Sequence, residues 1–193
     1  MRYRRADIVG RAVDVLDQYG LPDLSMRRIA AELGLQPSAL YHHFGSKQEL
    51  LAAVADEILD RGRRDVPAGD WDAEVVALSH GLRDAMLAYR DGAELVATVH
   101  AFGLGVRTPA ERLAAAVAGA GFDEDFAGAA AMTILHFVFG HVSGEQIHLQ
   151  ANSVGAIDAD PADRSRGASF DLGLSLILDG IRQRQDAADR VRR

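Results

Sequence analysis

The sequence predicts an all-α protein, on three observations. Nearly every segment repeats its apolar residues with a helical period, Gly and Pro punctuate the chain at helix-length intervals, and no stretch carries a strong strand signal. Size and composition agree. The 193 residues are 48% hydrophobic and 25% charged, ordinary for a globular chain of one medium domain or a small domain carried on a larger one. There is no cysteine, so a disulfide framework, a thiolate zinc site and a cysteine nucleophile are all excluded.

In order along the chain, residues 5–19 align Ile8, Val9, Ala12, Val13, Leu16 and Tyr19 on one stripe that Gly20 ends. Ser25 is placed to cap a helix over 26–33, and Gly34 stops it. Pro37 suits the first turn of a short helix through Phe44. After Gly45, Ser46 to Glu49 form a capping box that opens a helix to about residue 64. A Pro/Gly break at 65–69 precedes a helix over 71–89, and Asp91-Gly92 turns into a short apolar helix at 93–102. Gly103-Leu104-Gly105 breaks that one and reads as a hinge. Thr108-Pro109-Ala110-Glu111 is a second capping box, opening a helix to about 118. The longest helix spans 123–150, a loop rich in Asn, Ser, Gly, Asp and Pro covers 152–168, and the last amphipathic helix covers 170–184. That makes nine helices and no internal repeat.

The apolar run 126–142 has about the minimum length of a membrane span. Small residues crowd its first half and His136 and His141 lie inside it, so it reads as a buried helix, and no membrane partner is expected. Residues 1–10 are polar and arginine-rich, without the apolar core of a secretory signal; the chain reads as cytoplasmic.

The net charge of −7 hides an asymmetry. Residues 1–64 hold ten basic and nine acidic groups, a net +1, whereas residues 65–193 hold eleven basic and nineteen acidic, a net −8. A near-neutral head on an acidic body can approach nucleic acid by the head alone.

That head contains the most informative pattern in the chain. A helix of about eight residues, a Gly-Leu-Gln turn and a second short helix have helix-turn-helix spacing. The second helix presents Ser38, Ala39, Tyr41, His42 and His43: small or hydrogen-bonding side chains that let a helix sink into a major groove. Arg27, Arg28 and Lys47 flank it as phosphate contacts.

The stretch from Leu24 to Leu51, LSMRRIAAELGLQPSALYHHFGSKQELL, resembles the DNA-binding domain of TetR-type transcriptional repressors, most characteristically in its Leu-Tyr-x-His-Phe-x-x-Lys end. The resemblance implies a homodimer on double-stranded operator DNA, reading two half-sites in successive major grooves. It implies that Arg27, Pro37, Ser38, Ala39, Tyr41, His43 and Lys47 face the operator, with Ser38 and Ala39 at the bases and Tyr41, His43 and Lys47 on phosphates. The domains then divide as 1–46 for DNA and 47–193 for ligand binding and dimerisation, with helix 47–64 as connector.

The body is similar to tetracycline-responsive members of that family at Tyr89 to Ala93, Gly121-Phe122, His136-Phe137 and Phe170 to Gly180. Its departures matter more. Val96 stands where those members place a magnesium-binding histidine, Leu78 for a drug-binding asparagine, Leu82 for a phenylalanine, His100 for an arginine and Arg63 for a pocket histidine. A magnesium–tetracycline complex would lose most of its polar partners, and each unpaired polar atom costs roughly 1–3 kcal/mol when buried. The expected effector is therefore a largely apolar small molecule. Candidate contacts are Leu82, Met86, Val96, Val99, Phe102, Leu113, Ile134, Phe137 and Phe139, with His100 and His136 as orienting donors. The same apolar period also describes a filled core. By the resemblance, helices 123–150 and 170–184 make the dimer interface. Small residues at 127–131 and the apolar Leu172, Leu174, Leu176, Ile177 and Ile181 suit close helix packing.

Two alternatives come from other classes. One is a ligand-independent DNA-binding protein. The other is a helix-bundle metalloprotein: His141, Glu145 and His148 share a helix face, and Glu145-Gln-Ile-His148 has the Glu-x-x-His spacing of di-iron bundles. Such a bundle needs two of these motifs and two further glutamates, and the chain has one motif, so no metal or cofactor is expected. No nucleophile elbow or paired carboxylates suggest an enzyme.

Overall fold

A computed structural model describes residues 3–63, 70–105, 107–158, 160 and 165–192. Among them are nine α-helices, one 3-10 turn and no strand, the architecture the periodicity predicts. The helices are α1 (Arg5–Tyr19), α2 (Met26–Glu32), α3 (Pro37–Tyr41), α4 (Lys47–Arg61), α5 (Trp71–Leu87), α6 (Gly92–Ala101), α7 (Arg107–Gly119), α8 (Glu124–Ser153) and α9 (Ser165–Arg192). The 3-10 turn at Leu21–Asp23 follows Gly20, whose φ of +86° suits glycine.

Boundaries shift where tertiary or cap geometry overrides the local signal. The second short helix stops at Tyr41 instead of Phe44, and residues 42–43 form a turn. α7 begins at Arg107, ahead of the start that the capping box predicts, and the Thr108 side chain lies outside what the structure describes. Residues 165–168, expected as loop, are the first turn of α9, and α8 runs on through 152–153. The break at 65–69 and the centre of the 152–168 loop lie outside the described residues.

The chain forms two compact units: residues 1–63 with 84–107, and 64–83 with 108–193. In the first, α1 packs on α4, and α4 on α6. Ile8, Leu16, Ile29, Leu40, Phe44, Leu50, Val54 and Ile58 are all fully buried there. Each such side chain contributes about 1.5–3 kcal/mol of transfer free energy, enough to hold short helices that would not persist alone. The turn before α6 is tied to α1. Asp91, the one non-glycine residue of positive φ among those described (55°), accepts a hydrogen bond from the Leu21 amide at 2.8 Å. Asp17 accepts one from the Arg90 amide at 3.2 Å. These ties join residues about 70 positions apart, so α6 belongs with the head's own core.

In the second unit α8 and α9 pack along their length. Asp123 caps α8 by accepting from the Phe126 amide at 2.8 Å. Ala127, Ala130, Ala131, Ile134, Leu135, Val138, Phe139 and Val142 form its buried stripe. Only α8, among the described helices, is long and apolar enough to cross a membrane by length and composition, and 44% of its apolar window is buried inside the fold. Its opposite side carries Thr133, His136, Gly140 and Gly144, which suits a core helix better than lipid contact. From α9, Phe170, Leu174, Leu178 and Ile181 face inward. The Phe137 ring lies over Gly173, where a Cβ would sit 2.5 Å from its Cε2 atom.

Candidate nucleic-acid interface

The recognition surface is built by backbone rules that leave little freedom. Ser25 Oγ accepts from the Arg28 amide at 3.2 Å and starts α2. Gly34 adopts φ +65°, and the Leu35 amide returns to the Ala30 carbonyl at 2.8 Å. These two features close the turn and aim the chain into α3. Gln36 is extended (φ −78°, ψ 143°), and Pro37 occupies the first helical turn. Leu40 and Phe44 are fully buried and anchor α3 from beneath. Ser46 Oγ accepts from the Glu49 amide at 3.1 Å, while the Glu49 carboxylate takes the Gly45 amide at 2.8 Å, one residue earlier than a strict capping box.

Because Leu40 and Phe44 point inward, the opposite side of α3 points out. Ser38, Tyr41 and His42 are exposed, Tyr41 at 54%, and Pro37, Ala39 and His43 are half-buried. Lys47 is exposed in the first turn of α4 and Arg27 on α2. Arg28 differs from them. Its guanidinium lies 3.9 Å from the centre of the Tyr19 ring, and its Nε is 3.3 Å from Glu32. The ring contact braces α2 against α1, and the Glu32 pair runs along α2 itself, at i and i+4. A second brace went unseen in the sequence: Arg5 pairs with Glu49 at 3.2 Å and covers the Phe44 ring at 4.5 Å, joining α1 to the start of α4.

The effector candidates separate by burial. Met86, Val96 and Val99 are buried within the first unit, and Leu113, Ile134 and Phe139 within the second. Leu82, His100 and Phe137 are half-buried. Phe102 is 62% exposed and His136 is also exposed, so neither contributes to the buried interior of the protomer. Phe137 is drawn into the α8–α9 seam, its ring 5.5 Å from that of Phe170.

The metal alternative fails on its own ligands. Glu145 is clamped by Arg83, with Nε at 2.9 Å, in a pair that is largely buried. His148 Nδ1 meets the Arg166 guanidinium at 2.7 Å, and His141 Nε2 meets the Arg166 carbonyl at 3.1 Å. Two cationic groups thus occupy the face where a cation would have to sit, and no metal-holding cluster occurs among the described residues.

The α9 side chains proposed for the interface face two ways. Leu174 and Ile181 turn into the protomer and Ile177 is half-buried, whereas Leu172 (62%) and Leu176 (65%) are exposed one turn apart. On α8, Gly140 and Gly144 are exposed at the same one-turn spacing, a surface that admits another helix closely. Across α5 and α9, Arg182 donates to Asp72 at 3.1 Å from Nε. This hydrogen bond holds the Asp72 carboxyl below the usual carboxylate range and raises Arg182 further.

A capped helix-turn-helix in one unit and an exposed apolar α9 face in the other define a class: a dimeric, DNA-binding regulator. Comparison with known proteins agrees. Residues 8–54 match the family described as "Bacterial regulatory proteins, tetR family", and residues 65–167 match "Tetracyclin repressor-like, C-terminal domain". The class A tetracycline repressor from transposon 1721 of Escherichia coli is 33% identical, over 92% of this chain and 90% of its own. BioQ of Mycobacterium smegmatis has a solved structure with 40% identity and a TM-score of 0.86, covering 93% of this chain and 98% of its own. A BioQ structure with its operator DNA aligns at 37% identity and TM-score 0.77, covering 93% and 98%. A variant of TetR from Acinetobacter baumannii in complex with minocycline aligns at 27% identity and TM-score 0.75, covering 95% and 99%. The chain belongs to the TetR family of bacterial regulatory proteins. It is a DNA-binding transcriptional repressor of that family, whose members are regulators and not enzymes.

Proposed function

We propose that this repressor is a cytoplasmic homodimer that holds two operator half-sites and leaves them when a small, largely apolar molecule binds its body. The observation that carries the reading is the outward face of α3: Ser38, Tyr41 and His42 are exposed over a buried Leu40 and Phe44, with Arg27 and Lys47 exposed beside it. In this reading Ser38 and Ala39 approach base edges, Tyr41, His43 and Lys47 hold phosphates, and Arg28 acts through the brace it forms with Tyr19. Residues 1–46 act as the DNA-binding domain, 47–193 as the ligand and dimer domain, and α4 as the connector between them.

The signal has a physical route in the first unit. The Gly105 Cα is close enough to α4 that a Cβ there would lie 3.3 Å from the Ala52 Cβ and 3.1 Å from Asp56. Gly62, at the other end of α4, is packed so tightly on Ala85 that a Cβ would overlap it. These approaches tie α4 to α5 and to the turn after α6, and α6, where Val96 and Val99 lie, itself packs on α4; in this reading a ligand that displaces α6 carries α4 with it and reorients the recognition helix. Such a ligand works only by its difference in affinity for the two arrangements. The apolar character of Val96 and Leu78 supports a ligand other than magnesium–tetracycline.

Fluorescence anisotropy of the purified protein on DNA tiles from either side of its own gene, at two salt concentrations, tests the reading. The expected result is tight, salt-sensitive binding restricted to one or two tiles. Equal, weak binding on every tile overturns it. Compounds that then release the bound tile identify the effector class.

A further inference from the structure

Within the first unit the head reaches α6 by two routes. One runs through α4, which packs against both α1 and α6. Attachment through a single helix leaves one motion weakly held, a roll about the axis of that helix. A roll of about 20° carries a helix packed 8–10 Å away by roughly 3 Å, close to the rise of one base pair at about 3.4 Å. The second route bypasses α4. It is the turn at 89–91, between α5 and α6, which grips the far end of α1. Asp17 of α1 accepts a hydrogen bond from the Arg90 amide at 3.2 Å, and Asp91 accepts one from the Leu21 amide at 2.8 Å. The approach is close: a Cβ on Gly20 would lie 2.5 Å from Asp91 Oδ2 and 3.2 Å from Arg90 Nε.

The same turn holds the end of α4. The Arg61 guanidinium donates to the Tyr89 hydroxyl and, through Nε, to Glu57 at 2.9 Å. Its Nη2 also lies beside α1, 3.9 Å from where a Cβ on Gly10 would stand. Asp91 sits at φ 55° and ψ 17°, a left-handed conformation that a residue other than glycine keeps only where its surroundings impose it. The ties to α1 and α4 supply that constraint. We propose that the turn at 89–91 is a clamp that fixes the roll of the head and so selects the spacing between operator half-sites, with Asp17 and Tyr89 as its positioning residues. Neither of them touches DNA in this assignment. The proposal rests on the operator-binding reading above and adds to it a determinant of half-site spacing that lies outside the recognition helix.

The test is anisotropy of the full-length protein on duplexes that carry the half-sites of the bound tile at their native separation, or one base pair nearer or farther. One base pair shifts a half-site by about 3.4 Å and turns it by about 35°. The proteins are the wild type, Asp17→Ala, Tyr89→Phe, the double variant and Asp17→Asn, with circular dichroism to confirm the helical fold of each. The wild type should favour the native separation by roughly 10-fold or more, and the double variant by less than about 3-fold, with each single variant between them. Asp17→Asn keeps an acceptor for the Arg90 amide and should keep the wild-type ratio. That ratio does not depend on how much of a variant is folded, so lost stability cannot mimic the result. A wild-type ratio in the double variant, or an equal loss of affinity on all three duplexes, overturns the proposal and leaves operator binding standing. A wild type that binds the three duplexes equally does the same. A wild type that binds no tile selectively overturns operator binding, and this inference with it.

Discussion

In the head, each exposed side chain stands where a local backbone rule puts it. In the body, one apolar residue can serve core, effector wall or subunit contact, and only its surroundings decide which. Ser38 and Lys47 illustrate the first case: Pro37 starts α3, Ser46 caps α4, and with Leu40 and Leu50 buried a turn or less further on, Ser38 and Lys47 face outward. Leu174 and Leu176 illustrate the second. They are two residues apart on α9 with the same side chain, yet one is 1% and the other 65% exposed. Chemistry is written locally where it depends on caps and turns, and non-locally where it depends on burial.

That contrast can be broken most forcefully at Phe44, the fully buried anchor under α3. Phe44→Ala should cost about 3–5 kcal/mol, lower the thermal midpoint sharply and abolish operator binding through loss of the fold. Retained stability would show that α3 is held by something other than its buried face. A smaller effect is expected in the body from Leu176→Glu, which places a charge on the exposed apolar face of α9. Sedimentation equilibrium should show the dimer weakened by about 2 kcal/mol or more, with the helical content of the monomer kept. An unweakened dimer would move the interface elsewhere.

The smallest effect concerns the Asp72–Arg182 tie. Because the folded-state pKa of Asp72 is lowered, its contribution is present above the unfolded carboxylate value and fades as pH falls through the folded one. The tie is partly exposed, so Asp72→Asn should cost only ~0.2–1 kcal/mol near neutral pH. Its urea midpoint should converge with that of the wild type in acid. A constant gap across pH would show that the carboxylate charge is not what matters there.

The same division explains what was legible in the sequence. Helix number, the helix-turn-helix, the Ser25 cap and the Pro37 start follow from residues within four positions of one another, and the structure has each of them. The seating of Arg28 on Tyr19 depends on how α2 meets α1, which no period records. The Asp91–Leu21 bond spans the head and the turn before α6, so the sequence showed Asp91-Gly92 only as a turn. The first turn of α9 carries Arg166, which binds His141 and His148 of α8, contacts that hold as helix a stretch whose Ser and Gly content reads as loop. The same arginine removes the metal reading, since a spacing that suits two ligands equally suits a cation partner from another helix.

The central claim is that the face of α3 opposite Leu40 and Phe44 touches operator DNA. Footprinting of the wild type and Ala39→Arg on the tile that binds tests it most directly, with circular dichroism matched between the two. The account predicts two protected half-sites about 34–36 Å apart for the wild type. For Ala39→Arg it predicts their loss, or their replacement by a different sequence, in a protein whose helical content is unchanged. An identical footprint and affinity for Ala39→Arg would contradict it, and would place the DNA-contacting face of the head elsewhere than on α3.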